Sequence, residues 1–234
     1  MNVLITGNSS GLGLGLTEEL LATQATVWGL SRRGCPLSDE ALRDRRCDLA
    51  DLNAVPEALD RLLSDCLRLD LVVLNAGILG RIQPLHQTDV HDLEHLMRIN
   101  LWASKLILDW LIERQLPVAQ VLAISSGAAV SMSYGWGGYS LSKAALNNLV
   151  RLYAHEMPDT HLVSLAPGLV DTAMQDYLCE EVDHQEYPSV QKLRQARGTD
   201  DMPDSRQAAA RILKLLPQFS RDHDSGAFVD IREL

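Results

Sequence analysis

The sequence predicts a doubly wound α/β fold, a parallel sheet with helices on both faces, in a single domain covering residues 1–234. Three observations carry that expectation. Short aliphatic and β-branched runs alternate with longer stretches of helical period almost throughout the chain. Several of the short runs are apolar on both faces, as strands buried in a parallel sheet are. A glycine-rich turn follows the first run directly and leads into a helix. A chain of this length can bury a substantial core without disulfides or metals to hold it together.

Taken in order, VLIT (3–6) starts the sheet and a helix over 12–23 follows the turn. ATVWGL (25–30), DLVVLN (70–75), VAQVLAIS (118–125) and THLVSLA (160–166) read as the next strands. Helical stretches at 53–68, about 88–115 and 139–156 lie between them. The segment 175–205 breaks this rhythm, being polar and acidic and ending in GTDDMPDS, and reads as a substrate lid. A helix over 205–216 and the strand-like GAFVDI close the chain.

Composition excludes several function classes. With 31 acidic against 21 basic residues the net charge is -10, a surface that repels phosphate backbones, so nucleic acid is not an expected partner. The longest apolar runs are interrupted well before they could span a bilayer. MNVLITG lacks a basic, then apolar, leader pattern, and no signal peptide is expected. Cys35, Cys47, Cys66 and Cys179 show no CxxC spacing, which suits unpaired thiols in a reducing compartment and gives the cytoplasm as the expected location.

The turn ITGNSSGLGLGL (5–16) requires bare backbone because strand, glycine turn and helix together aim N–H groups and a helix N-terminus at a pyrophosphate. Thr6, Gly7, Ser9, Ser10, Gly11, Leu12 and Gly13 are the candidate contacts of this NAD(P)-binding Rossmann turn. At the end of the second strand, where an acid usually holds the ribose 2′-hydroxyl of NAD, the chain has Ser31, Arg32 and Arg33. Guanidinium groups suit a 2′-phosphate, so NADP(H) is expected over NAD(H); two solvated surface arginines are the plainer alternative.

Further on, Tyr139 and Lys143 stand four apart in YSLSK, on one helix face. Alone the pair is a weak signal, but Ser126 of ISSG, the triplet Asn75, Ala76 and Gly77, Asn100, and Pro167-Gly168 accompany it at strand ends and in the intervening helix. In that order TGNSSGLG, NAG, Asn100, ISSG, YSLSK and PG resemble the short-chain dehydrogenase/reductase family from residue 2 to about 172. SGAFVD (225–230) resembles that family's last strand, and with APGLVDTAMQ (166–175) it looks most similar to the sepiapterin reductase and benzil reductase branches.

The resemblance implies an NADPH-dependent carbonyl reductase. Tyr139 would donate the proton, its phenol acidified by Lys143, which would also bind the nicotinamide ribose. Ser126 would hydrogen-bond the substrate oxygen, and Asn100 would hold a water linking Lys143 to solvent. Asp48 and its neighbour Leu49 would meet the adenine, Asn75 to Gly77 the adenine ribose, and Pro167, Gly168, Val170 and Thr172 the nicotinamide. One departure is Ser10, where many NADP-preferring members carry a basic residue.

MSYGWGGYS (132–140) places Tyr134 and Trp136 between Ser126 and Tyr139, which suits a flat or aromatic carbonyl substrate or, equally, packing beneath the loop. Asp230 of the tail is a candidate substrate anchor by the same resemblance. His91, Glu94 and His95 match HxxEH, a zinc-site pattern, but solvated helix histidines are the expected reading and no metal is assigned. Trp102, Trp110, Leu149 and Leu152 are expected to pack across a twofold axis in a homodimer or homotetramer. The rival from another class is a non-catalytic NADP(H)-binding sensor or scaffold.

Overall fold

The computed structural model describes residues Met1 to Leu234. Seven strands form one parallel sheet in the order β3-β2-β1-β4-β5-β6-β7: β1 Asn2–Thr6, β2 Thr26–Ser31, β3 Leu42–Arg46, β4 Leu69–Leu74, β5 Val118–Ile124, β6 His161–Ala166 and β7 Ala227–Asp230. The strand order reverses between β1 and β4, so the loops leaving their C-terminal ends diverge and open a crevice there.

Strand alternation divides the interior into two cores. Leu4 of β1 faces a layer built from α2 (Ala54–Leu62), α4 (Ala103–Glu113) and α6 (Gly137–Glu156), in which Leu59, Leu108 and Val150 are buried. Val3 and Ile5 point the other way, to α1 (Gly11–Ala22) and α9 (Ser205–Asp222), where Leu16, Ile212 and Phe219 are buried. Asp204 caps α9 and forms a reciprocal capping box with Gln207, which fixes where the segment before α9 ends.

Four elements differ from the sequence expectation. β3, with the sequence LRDRR, carries no apolar alternation because it is an edge strand pairing only with β2 and exposing much of its length. The helix expected over 88–115 is α3 (Val90–Met97) joined to α4 by a π turn, Arg98–Trp102, which buries Asn100 and Leu101 side by side. The segment 175–205, expected as a lid, holds most of α7 (Ala173–Glu180) and all of α8 (Pro188–Ala196), and Arg197 makes ion pairs with Asp171, Asp176 and Glu180. The last helix runs through Pro217 to Asp222.

The expected dimer stripe is also corrected. Trp110 and Leu149 belong to the chain's own core, and Trp110 donates from Nε1 to Asp60 Oδ1 at 2.9 Å. Only Trp102 and Leu152 of the four stay exposed. All four cysteines are free. No helix is long and apolar enough to cross a membrane.

Phe219 is fully buried where α9 meets the sheet. Phe219→Ala should therefore lower the unfolding free energy by roughly 3–5 kcal/mol, measured by urea denaturation; a loss below about 1 kcal/mol would contradict the packing described.

Candidate active site

A cleft of about 600 Å³ lies along the C-terminal ends of β1, β4, β5 and β6. Its floor begins with the glycine turn. Gly7 has φ +72, a left-handed conformation, and any Cβ at Gly13 would collide with the Gly7 carbonyl oxygen, so the first turn of α1 folds back directly onto the strand end. Asn75 fastens this turn to β4: its Nδ2 donates to the Thr6 carbonyl at 2.9 Å, and its N–H donates to Thr6 Oγ1 at 3.0 Å. The Thr6 hydroxyl also receives the Ala76 N–H at 3.1 Å. Thr6 and Gly13 thus shape the turn from behind and do not line the cleft, in contrast to Gly7, Ser9, Ser10, Gly11 and Leu12.

At the end of β2, Ser31, Arg32 and Arg33 line the same cleft, with Asp48 and Leu49 nearby. Arg33 Nη2 donates to Ser10 Oγ at 2.7 Å, so the guanidinium lies against the glycine turn. Ser31 is 3% exposed and its Oγ has no partner in the protein, an orphaned group beside two cations. A bare-backbone cradle, a helix N-terminus, two arginines and an unpartnered hydroxyl together fit a nucleotide carrying several phosphates. Asn75, Ala76, Gly77, Pro167, Gly168, Val170 and Thr172 line the same cleft further along.

Ser126, Tyr139 and Lys143 meet at the far end of this cleft. α6 carries Tyr139 and Lys143 one turn apart, and Ser125 Oγ, donating to Asn147 Oδ1 at 2.6 Å, holds α6 against the end of β5. Lys143 Nζ donates to the Ile124 carbonyl at 2.7 Å and lies 5.8 Å from the Tyr139 ring centre. Burial dominates both groups. It pushes the Tyr139 phenol up to about 12, against the lowering effect of the Ser126 hydroxyl, and pulls Lys143 down to about 8. Desolvation thus moves both groups toward their neutral forms.

Asn100 stands behind the cleft wall. Its Oδ1 accepts the Ile78 N–H at 2.8 Å, while Nδ2 donates to the Ile78 carbonyl at 2.9 Å and to Ser142 Oγ at 3.0 Å. Both amide hydrogens are thus engaged by protein, tying the loop after β4 to α6. Lys143 Nζ and Asn100 Oδ1 both approach Gly77, each 3.3 Å from where its Cβ would stand.

Of the candidate substrate residues, Ser126 and Trp136 line the cleft, Trp136 tilted at 57° on Tyr139 with ring centres 6.2 Å apart. Tyr134 is outside it, largely exposed and stacked on Tyr187 at 5.7 Å. Asp230 is likewise outside: Arg232 binds both its oxygens and holds the carboxyl below its ordinary range, so the charge is already satisfied. Met174, Gln175, Leu178 and Leu193 also line the cleft, although no local pattern marks them. His91 and Glu94 form an exposed pair at 3.5 Å, and His95 lies on the cleft rim; no cluster of three potential metal ligands occurs.

The profile of the short chain dehydrogenase family matches residues 1–183. The chain belongs to that family. Among curated relatives of this short-chain dehydrogenase, benzil reductase ((S)-benzoin forming) of Bacillus subtilis is 28% identical, covering 98% of each chain. Sepiapterin reductase of Bos taurus is 30% identical, over 97% of this chain and 92% of its own. A short chain dehydrogenase/reductase from Saccharomyces cerevisiae has the same fold at 23% identity, TM-score 0.82, covering 98% and 95%. Another from Burkholderia cenocepacia, solved in complex with NADP, is 21% identical with TM-score 0.77, covering 97% and 94%. The protein is thus an oxidoreductase of this family with its single-domain doubly wound fold.

In the nucleotide-free protein Lys143 should titrate near pH 8, below ordinary lysines near 10.5, because the fold disfavours its charged form. Lysine-selective NMR checks this, and a Lys143 signal that titrates only above pH 10 would contradict the buried geometry.

Proposed function

We propose that this short-chain dehydrogenase reduces flat or aromatic ketones and diketones with NADPH. The observation that carries the reading is convergence: Ser126, Tyr139 and Lys143 share one cleft with Arg32, Arg33 and the unpartnered Ser31 hydroxyl. The benzil reductase relative, a diketone reductase by name, supports the substrate class. The NADP carried by a structural neighbour supports the cofactor.

The nicotinamide, when bound, supplies hydride to the carbonyl carbon. The chain's own residues handle the oxygen. Tyr139 O–H donates its proton to the developing alkoxide, and Ser126 O–H hydrogen-bonds the same oxygen. Lys143, anchored on the Ile124 carbonyl, places its ammonium over the Tyr139 ring and stabilises the phenolate left behind. Its charge at neutral pH follows from a pKa of about 8. Asn100 acts through Ile78 and Ser142, holding the loop and helix that carry these groups. Trp136, Met174, Leu178 and Leu193 form an apolar wall that excludes water and suits a planar substrate. Arg32 and Arg33 take the 2′-phosphate.

Following NADPH absorbance across diketones, quinones and pterins tests the reading. Oxidation of NADPH by at least one planar dicarbonyl is expected; NADPH binding with no turnover on any of them would favour a sensor. Tyr139→Phe should cut turnover by roughly 10²–10⁴-fold while NADPH still binds, and retained turnover would refute the proton donor. Arg32→Ala with Arg33→Ala should weaken NADPH by more than roughly tenfold and leave NADH nearly unchanged, measured by calorimetry; equal losses would refute the 2′-phosphate assignment.

A further inference from the structure

The arginine loop that follows β2 and the glycine turn that follows β1 are joined by a carboxylate belonging to neither motif. Asp44 stands in the polar edge strand β3, opposite Gly29 of β2. Both its oxygens are engaged: Oδ1 accepts from Asn8 Nδ2 at 2.8 Å, and Oδ2 accepts from the Cys35 backbone N–H at 2.9 Å. Asn8 lies inside the glycine turn, fully buried, and its Oδ1 has no partner, so the bond to Asp44 is what fixes that side chain. Cys35 closes the loop that begins with Arg32 and Arg33.

The contact depends on a missing side chain. A Cβ at position 29 would stand 2.5 Å from Asp44 Oδ1 and nearer still to Asn8 Nδ2, so only glycine lets the carboxylate of β3 reach across β2 to the turn. Asp44 does not itself line the cleft. By charge alone, an acid close to a phosphate-binding loop should weaken anion binding. By geometry it should strengthen it, because it holds the loop in register with a turn that Arg33 already touches through Ser10 Oγ at 2.7 Å.

We propose that Asp44 is a positioning residue for cofactor discrimination. Its two hydrogen bonds hold the Arg32–Cys35 loop against the glycine turn, so the sites for pyrophosphate and 2′-phosphate form one preorganised surface. This rests on the NADP(H) reading above and deepens it.

The two effects differ in sign, which makes the test decisive. Affinities for NADPH and NADH are measured by calorimetry on the wild-type protein, on Asp44→Ala and Asp44→Asn, and on Asp44→Ala combined with Arg32→Ala and Arg33→Ala. Asp44→Asn keeps the side-chain shape and one acceptor oxygen, so it remains informative should Asp44→Ala fold poorly. The clamp predicts that Asp44→Ala loses roughly tenfold or more in NADPH affinity, Asp44→Asn less, and NADH clearly less than either. The preference for NADPH therefore shrinks, and without the arginines Asp44→Ala shrinks it no further. Unchanged or tighter NADPH binding in both Asp44 variants, an equal loss for both cofactors, or a further loss of preference without the arginines would each overturn it. A wild-type protein indifferent to the 2′-phosphate would overturn the cofactor reading and the clamp together, and that arm separates the two failures.

Discussion

Nothing larger than hydrogen fits between position 13 and the Gly7 carbonyl, and the whole nucleotide cleft is built outward from that contact. It lets α1 begin directly above the end of β1, so its N-terminal N–H groups face the crevice where the strand order reverses. Asn75 then ties the turn to β4, and Asn8 ties it to Asp44 of β3. A local absence of side chains is thereby converted into a rigid floor that three strands share.

The reacting end is governed by burial. Lys143 is 3% exposed and Tyr139 8%, and this little water shifts each group toward its neutral form without discharging the lysine at neutral pH. The phenol therefore keeps its proton firmly until charge appears beside it. The proposed reduction would benefit from this, because a proton donor that is neutral at rest and drawn to ionise only as negative charge builds on the substrate oxygen acts when the transition state needs it. In that proposal Lys143, held by the Ile124 carbonyl, stands ready for the phenolate that follows.

The α7–α8 segment completes one wall of the cleft. Its acidic surface is partly neutralised by Arg197, and its apolar side turns inward through Met174, Leu178 and Leu193. Trp136 Nε1 donates to Ser189 Oγ at 2.8 Å, which joins the loop before Tyr139 to α8. The cleft beside Tyr139 is thus bounded jointly by two segments distant in the chain.

Much was legible in the linear chain because it depends on short-range spacing. Short apolar runs mark β1, β2, β4, β5 and β6, a positive-φ glycine turn announces itself by composition, and Tyr139 and Lys143 share a helix face at any orientation of that helix. What the tertiary structure alone decided is whatever depends on partners far apart in sequence. β3 is a strand only because β2 offers it hydrogen bonds, Asp230 is spoken for by Arg232, and Asn100 spends its amide on Ile78 and Ser142. Desolvation of Tyr139 and Lys143 belongs to the same class, since the number of water molecules a group loses is a property of the packed neighbourhood and no residue carries it alone.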